Sequence, residues 1–216
     1  MFWSCKPSPI PIYKGSTTLR IVNVTPENNS INFYIDDTVK NRQAIAFKEV
    51  LTNITTSAGE KRVYIKNNGT LIEKSRLNIL FLSQLNYTVF ISGKIAKDSI
   101  NYITLVDSLK TPSNGKAKVR MVNTIPNIGF IESVFTTQLT DSMANFTSIN
   151  YGTSTQYVEF SPGIYLLKLR KSNGKETLAS LPNIQINAGK IYTIYGTGLV
   201  NGTPNYPLSV NLLIDK

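Results

Sequence analysis

Histidine is missing from all 216 residues of this chain, cysteine occurs once, and 13 acidic side chains stand against 23 Lys and Arg. Without imidazole, the Ser/His/Asp and Cys/His nucleophile arrangements are excluded and the commonest zinc ligand is gone. The lone Cys5 closes no internal disulfide, so stability has to come from packing. No cysteine cluster, Gly-rich phosphate loop or Asp-rich calcium loop occurs. Acid/base hydrolysis needs two carboxyls roughly 5 to 9.5 Å apart in a cleft. The only adjacent acidic pair, Asp36-Asp37, falls in a turn signal and caps it more naturally than it catalyses. No catalytic, cofactor-binding or metal-ligating set is therefore predicted. Long apolar runs are absent too: none reaches the roughly 18 to 20 residues that cross a bilayer as a helix.

The formal charge of +10 favours an anionic partner, such as an acidic glycan or a membrane surface. Its distribution argues for a solvated basic face instead. The densest stretches, Lys116, Lys118, Arg120 and Lys168, Arg170, Lys171, Lys175, largely follow a period of two rather than forming an arm. No helix-turn-helix, zinc-finger or RNP-like pattern accompanies them, and specific nucleic-acid binding is not expected.

What is present is a repeat. Leu19-Arg20-Ile21-Val22-Asn23-Val24-Thr25-Pro26 returns one hundred positions later as Val119-Arg120-Met121-Val122-Asn123-Thr124-Ile125-Pro126. Phe47…Ser57-Ala58-Gly59 answers Tyr151…Ser161-Pro162-Gly163 at an offset of 104, and Tyr87-Thr88-Val89-Phe90 answers Tyr192-Thr193-Ile194-Tyr195 at 105. Such self-similarity is the mark of a tandem duplication. Residues 1–16, with Lys6-Pro7-Ser8-Pro9-Ile10-Pro11, form an extended Pro-rich tether; 17–111 and 112–216 are the two domains, joined near Pro112.

Within each copy, β-branched and aromatic runs alternate with polar residues: Thr18 to Val24, Ile31 to Ile35, Lys61 to Lys66, Tyr87 to Ile91, Ile103 to Val106, then Lys118 to Thr124, Tyr165 to Arg170 and Ile191 to Tyr195. Turn chemistry separates them, as at Asp36-Asp37, Asn68-Gly69 and Asn114-Gly115. The fold class predicted is all-β, two tandem immunoglobulin-like antiparallel β-sandwiches. Residues 43–47 and 142–146 are the stretches where a helical turn competes. Arg20 and Arg120, set among inward aliphatics, are expected to face out or pair across a strand. Asn23 and Asn123 should bond nearby backbone at a strand end, and Tyr87 and Tyr192 should pack with their hydroxyls at the rim.

The repeated order, Arg-x-Val-Asn-x-x-Pro, then Phe/Tyr and Ser-x-Gly, then Tyr-Thr-[Val/Ile]-[Phe/Tyr], resembles the DUF4397 family once per copy. That resemblance implies immunoglobulin-like envelope proteins, common as lipoproteins in Bacteroidota, without an established activity. Two features fit it. Phe2-Trp3-Ser4-Cys5-Lys6 is similar to the end of a bacterial lipobox, which makes Cys5 a candidate lipidation site and outer-membrane lipid a partner, although the basic and apolar signal regions are missing. Without acidic residues after Cys5, the periplasmic side is favoured over the cell surface. Four Asp-Ser/Thr-aliphatic triplets resemble Bacteroidota O-glycosylation acceptors at Thr38, Ser99, Ser108 and Ser142, although turn chemistry explains them equally well.

The reading that follows is a non-enzymatic cell-envelope binding or scaffold module, with a glycan or an envelope protein as partner. The alternatives are a carbohydrate-binding module or adhesin, which a row of exposed aromatics would favour, and an atypical hydrolase without histidine. Tyr102 and Tyr206, the repeated Asn-Tyr pair, are the candidate ligand contacts, and the groove between the copies is the expected place of binding.

Overall fold

The computed structural model describes residues 14–26, 30–70, 73–94, 99–107, 110–137, 145–172, 174 and 176–215. Every regular element among them is a strand. In the first half, β1 (Ser16–Asn23), β5 (Val50–Ser57), β8 (Asn86–Lys94) and β9 (Ser99–Val106) form a sheet in the order β5-β1-β8-β9. Facing it, β2 (Ser30–Ile35), β3 (Thr38–Val39), β6 (Gly59–Asn67) and β7 (Glu73–Phe81) run β3-β2-β6-β7, with β4 (Ile45–Ala46) paired to β2. The stretch where a helical turn competed therefore contains a short strand. It is captured because Ile45 is buried in the core of the half.

The second half repeats this arrangement. Strands β10 (Ala117–Asn123), β13 (Val158–Phe160), β16 (Ile191–Thr197) and β17 (Ser209–Ile214) run β13-β10-β16-β17. Opposite them, β11 (Phe130–Thr136), β12 (Phe146–Asn150), β14 (Gly163–Lys171) and β15 (Thr177–Ile186) run β12-β11-β14-β15. One pair in each half departs from the antiparallel rule: β1 lies parallel to β8, and β10 to β16. A parallel pair needs a long crossover, and here most of the intervening strands build the facing sheet on the way, while β5 and β13 return to pair with β1 and β10.

Local chemistry sets the details. Asp36 and Asp37 both take positive φ, 47° and 64°, as a two-residue hairpin turn between twisted strands requires. Asn23 and Asn123 close their strands identically. Each side-chain oxygen accepts the backbone N–H two residues on at 3.1 Å, and each amide donates to a carbonyl of the facing sheet, Ile45 or Ile149. Tyr87 and Tyr192 are buried, and each hydroxyl accepts the backbone N–H five residues upstream, from Leu82 at 2.9 Å and Asn187 at 3.0 Å.

Each pair of sheets encloses its own core. Leu19, Ile21, Phe33, Phe81 and Val89 fill the first; Met121, Phe135, Phe146, Phe160 and Ile194 fill the second. A third cluster, Val22, Val24, Phe90, Ile103, Val122 and Tyr195, lies between the halves. All of its strand residues come from the β5-β1-β8-β9 and β13-β10-β16-β17 sheets, so these pack back to back and the molecule is a stack of four sheets. This explains why β8 and β16 are buried almost end to end: both of their faces are covered.

Candidate functional site

The junction between the halves is where charge is concentrated in the interior. Arg20 on β1 and Arg120 on β10 lie on the faces that meet, beside their register partners Thr88 and Thr193. The Arg20 Nε–H donates to Thr88 Oγ1 at 3.1 Å, and the Arg120 Nε–H donates to Thr193 Oγ1 at 2.8 Å. Each threonine in turn donates to the aspartate that ends its own half, Thr88 to Asp107 at 2.9 Å and Thr193 to Asp215 at 2.6 Å. The arginines then cross over. Arg120 Nη2 reaches Asp107 at 2.5 Å, and Arg20 Nη2 reaches Asp215. Six side chains therefore close a ring, Arg20, Asp215, Thr193, Arg120, Asp107, Thr88 and back, with an approximate two-fold relation between the halves. The remaining guanidinium nitrogens follow the same rule: Arg20 Nη1 donates to the Ile214 carbonyl at 3.1 Å and Arg120 Nη1 to the Val106 carbonyl at 2.9 Å.

Water hardly reaches this ring. Side-chain exposure is 14% for Arg20, 4% for Arg120, 8% for Asp107 and nil for Asp215. Burial pushes the Asp107 carboxyl above its usual range, against the pull of Arg120 and Arg20. Tyr157, whose hydroxyl donates to Asp215 at 3.1 Å and whose ring lies 4.7 Å from the Arg120 guanidinium, is also pushed up by burial and by the Asp215 charge. Next to the ring, Phe90 and Tyr195, at corresponding positions of the two halves, meet with centroids 5.0 Å apart, and burial pushes the Tyr195 hydroxyl up to about 12.

A cleft of about 250 Å³ opens onto Arg20, Asp107 and Asp215 between Thr18, Asn53 and Asn86. Its lining comes from the first half except for Asp215, so it lies at the margin of the junction where the sequence predicts a groove. Its charges are spent on each other: both carboxylates are engaged by arginines and a hydroxyl, so the groove offers no unpaired acid, base or anion receptor. The arginines pair across a strand with threonine as expected, but they face the opposite half rather than solvent, because a second sheet covers that side. The aspartates that receive them were missed. Their signal was the aliphatic-Asp ending common to both halves, Val106-Asp107 and Ile214-Asp215.

The other candidates are scattered. Tyr102 is 8% exposed and belongs to the first core, a position that leaves little of its ring for a ligand. Tyr206 is half-buried, with its ring edge-on to Phe47 of the first half at 5.2 Å. Thr38 is exposed on β3, and Ser99 is exposed at the start of β9, its hydroxyl donating to the Lys94 carbonyl at 3.4 Å. Cys5, Ser108 and Ser142 lie outside the described residues. Among the described residues no cluster of side chains could hold a metal ion, and no helix is long and apolar enough to cross a membrane.

The model of one family, "Domain of unknown function (DUF4397)", matches residues 17–134, running as a single stretch across the first half and into β11. No curated protein matches the chain. Among solved structures, a family CBM26 module from Eubacterium rectale Amy13K, crystallised with maltoheptaose, is 7% identical, covers 92% of this chain and 95% of its own, and has a TM-score of 0.28. A DUF3823 family protein from Bacteroides ovatus is 10% identical, with 81% and 98% covered and a TM-score of 0.23. Likeness at that level says nothing about what this chain binds.

Proposed function

The chain belongs to the DUF4397 family, whose description assigns no activity, and on that footing we propose that it is a non-enzymatic binding or scaffold module of the cell envelope. The observation that supports this reading is the closed ring at the junction. The charged groups gathered at the junction satisfy one another and fasten two sandwiches into one block, whereas a hydrolytic site would leave a carboxyl or nucleophile aimed into space a substrate can enter. A block fastened in this way presents sheet faces, edges and loop ends at fixed spacing, which suits recognition.

Tethering through a lipid on Cys5, a periplasmic orientation, two copies of one domain, and glycans on Thr38, Ser99, Ser108 or Ser142 complete the proposal. Detergent partitioning of the native protein, lost on Cys5→Ala, tests the tether, and intact-mass measurement of envelope-derived protein tests the glycans. Envelope pull-downs at low and high salt test the binding role. Retention of an anionic partner should fall as salt rises, given the net charge of +10. Turnover of any retained compound would overturn the reading.

A row of exposed aromatics would have favoured the carbohydrate-binding alternative. Among the described residues there is one exposed aromatic ring, Phe130.

A further inference from the structure

Phe130 opens β11 where Ser30 opens β2, and the backbone at the two positions is the same. Ser172 N–H donates to the Phe130 carbonyl at 3.1 Å, as Asn68 N–H donates to the Ser30 carbonyl at 3.0 Å. The phenyl ring is thus an addition of the second half that the fold does not call for, and it stays 51% exposed. Its backbone is held on both sides: the Gly129 carbonyl accepts N–H bonds from Tyr151 at 2.7 Å and from the Asn123 amide at 3.2 Å.

The surroundings of the ring form a second, independent observation. Two clefts meet at Lys171. One, of about 460 Å³, is lined by Gly129, Phe130, Ser148 and Ser172; the other, of about 570 Å³, contains Ile128, Glu176 and Leu199. The outer wall of the larger cleft is the connection from β16 to β17, longer than its counterpart between β8 and β9. That wall is closed on itself. The Asn127 side-chain amide exchanges two hydrogen bonds with the Val200 backbone, at 2.9 and 3.0 Å, and Leu199 N–H donates to the Tyr206 carbonyl at 3.3 Å.

We propose that this end of the second half is a glycan-binding site, in which the exposed face of Phe130 stacks on the apolar face of a pyranose ring and neighbouring sugars occupy the two clefts. Lys171, Glu176, Ser148 and Ser172 supply the donors and acceptors that sugar hydroxyls need. Among the described lining residues Lys171 and Glu176 put one charge of each sign at the clefts, so the ligand class is a neutral oligosaccharide rather than a polyanion, which would meet the Glu176 carboxylate. The site rests on the binding-module reading above and names its ligand class.

The full chain is titrated calorimetrically with neutral glucan, xylan and mannan oligosaccharides, and with oligogalacturonate as an acidic probe, at low and high salt. At least one neutral oligosaccharide should bind with an affinity indifferent to salt, and Phe130→Ala should weaken it by about tenfold or more. Gly129→Leu is the second variant. A Cβ there meets nothing within 4 Å, so the added side chain starts in open space at the lining of the smaller cleft, and affinity should fall, with the melting temperature checking that the fold is kept. Phe130→Trp should retain binding. Failure of every neutral oligosaccharide to bind, or binding that survives both Phe130→Ala and Gly129→Leu, overturns the site. Binding of oligogalacturonate alone, indifferent to both variants, would overturn it too while leaving the binding-module reading intact; hydrolysis of a probe would overturn that reading instead.

Discussion

The two halves share strand order, strand-closing asparagines, a buried tyrosine that accepts a loop N–H, and an arginine that reaches across the junction. They differ at the loop end where the first half has Ser30 and the second has Phe130, and in the length of the β8–β9 and β16–β17 connections. The residues that recur are consumed inside the molecule, by fold or by interface, whereas the exposed ring and the two clefts beside it lie where the halves diverge. Repetition therefore marks structure here, and departure from it marks the surface available to a partner.

The strongest way to break this comparison is at the ring. Arg120→Ala removes the most buried guanidinium and leaves Asp107 without its closest cation; it should cost about 3 to 5 kcal/mol in urea denaturation. Arg20→Ala should cost less, about 2 kcal/mol, because Arg20 is more exposed and water can replace part of it. Equal losses, or losses below a few tenths, would mean that the ring does not fasten the halves.

Next come two equivalent glycines. A Cβ on Gly93 (φ 98°) would sit 1.9 Å from the Ser99 carbonyl oxygen, and one on Gly198 (φ 89°) 2.2 Å from that of Pro207. Alanine at either position combines a clash with left-handed strain and should cost about 3 kcal/mol. If Gly198→Ala proves much milder than Gly93→Ala, the longer second connection is absorbing the strain and the halves differ there in stiffness as well as length.

Smaller still, Tyr87→Phe and Tyr192→Phe each orphan one loop N–H and should lower stability by about 1 to 2 kcal/mol, nearly equally. Unequal values by thermal melting would show that one copy finds another acceptor.

The smallest effect is one of pH, and it contrasts the junction with a surface turn. Asp107 has its carboxyl pKa raised by burial, so its contribution is fully present below the ordinary value of 3.8 and is lost as pH rises through the folded value. At Asp36, burial would raise the pKa but is outweighed by the Arg62 N–H and by Lys61, so the pKa is lowered. Its contribution is present above 3.8 and lost as pH falls through the folded value. Urea midpoints between about pH 3 and 6 should show the wild-type advantage over Asp107→Asn shrinking as pH rises, and that over Asp36→Asn growing. Parallel trends would remove the contrast.

Much of the fold was legible because its signals are local. Period-two alternation placed the strands, Asp36-Asp37 marked a tight hairpin, and the Asn and Tyr repeats pointed to the strand-end and rim bonds they make. The parallel β1/β8 and β10/β16 pairs were not legible, since a strand carries the same alternation whichever way its neighbour runs. Arg20 and Arg120 were read as surface or cross-strand residues because their partners, Asp215 and Asp107, lie 195 and 13 positions away in the other copy. Phe130 escaped notice because it breaks the repeat rather than sharing it.

By itself the sequence determined that the chain is all-β, that one pattern is written twice, and that histidine-dependent catalysis is excluded, because composition, periodicity and self-similarity are properties of the chain in order. Only the tertiary structure decided that the two patterns stand back to back, that their arginines are exchanged between them, and that one ring is left in water beside two clefts. Those outcomes depend on which faces remain uncovered after each half has closed its own core, and burial of that kind is settled by contacts between residues far apart in sequence.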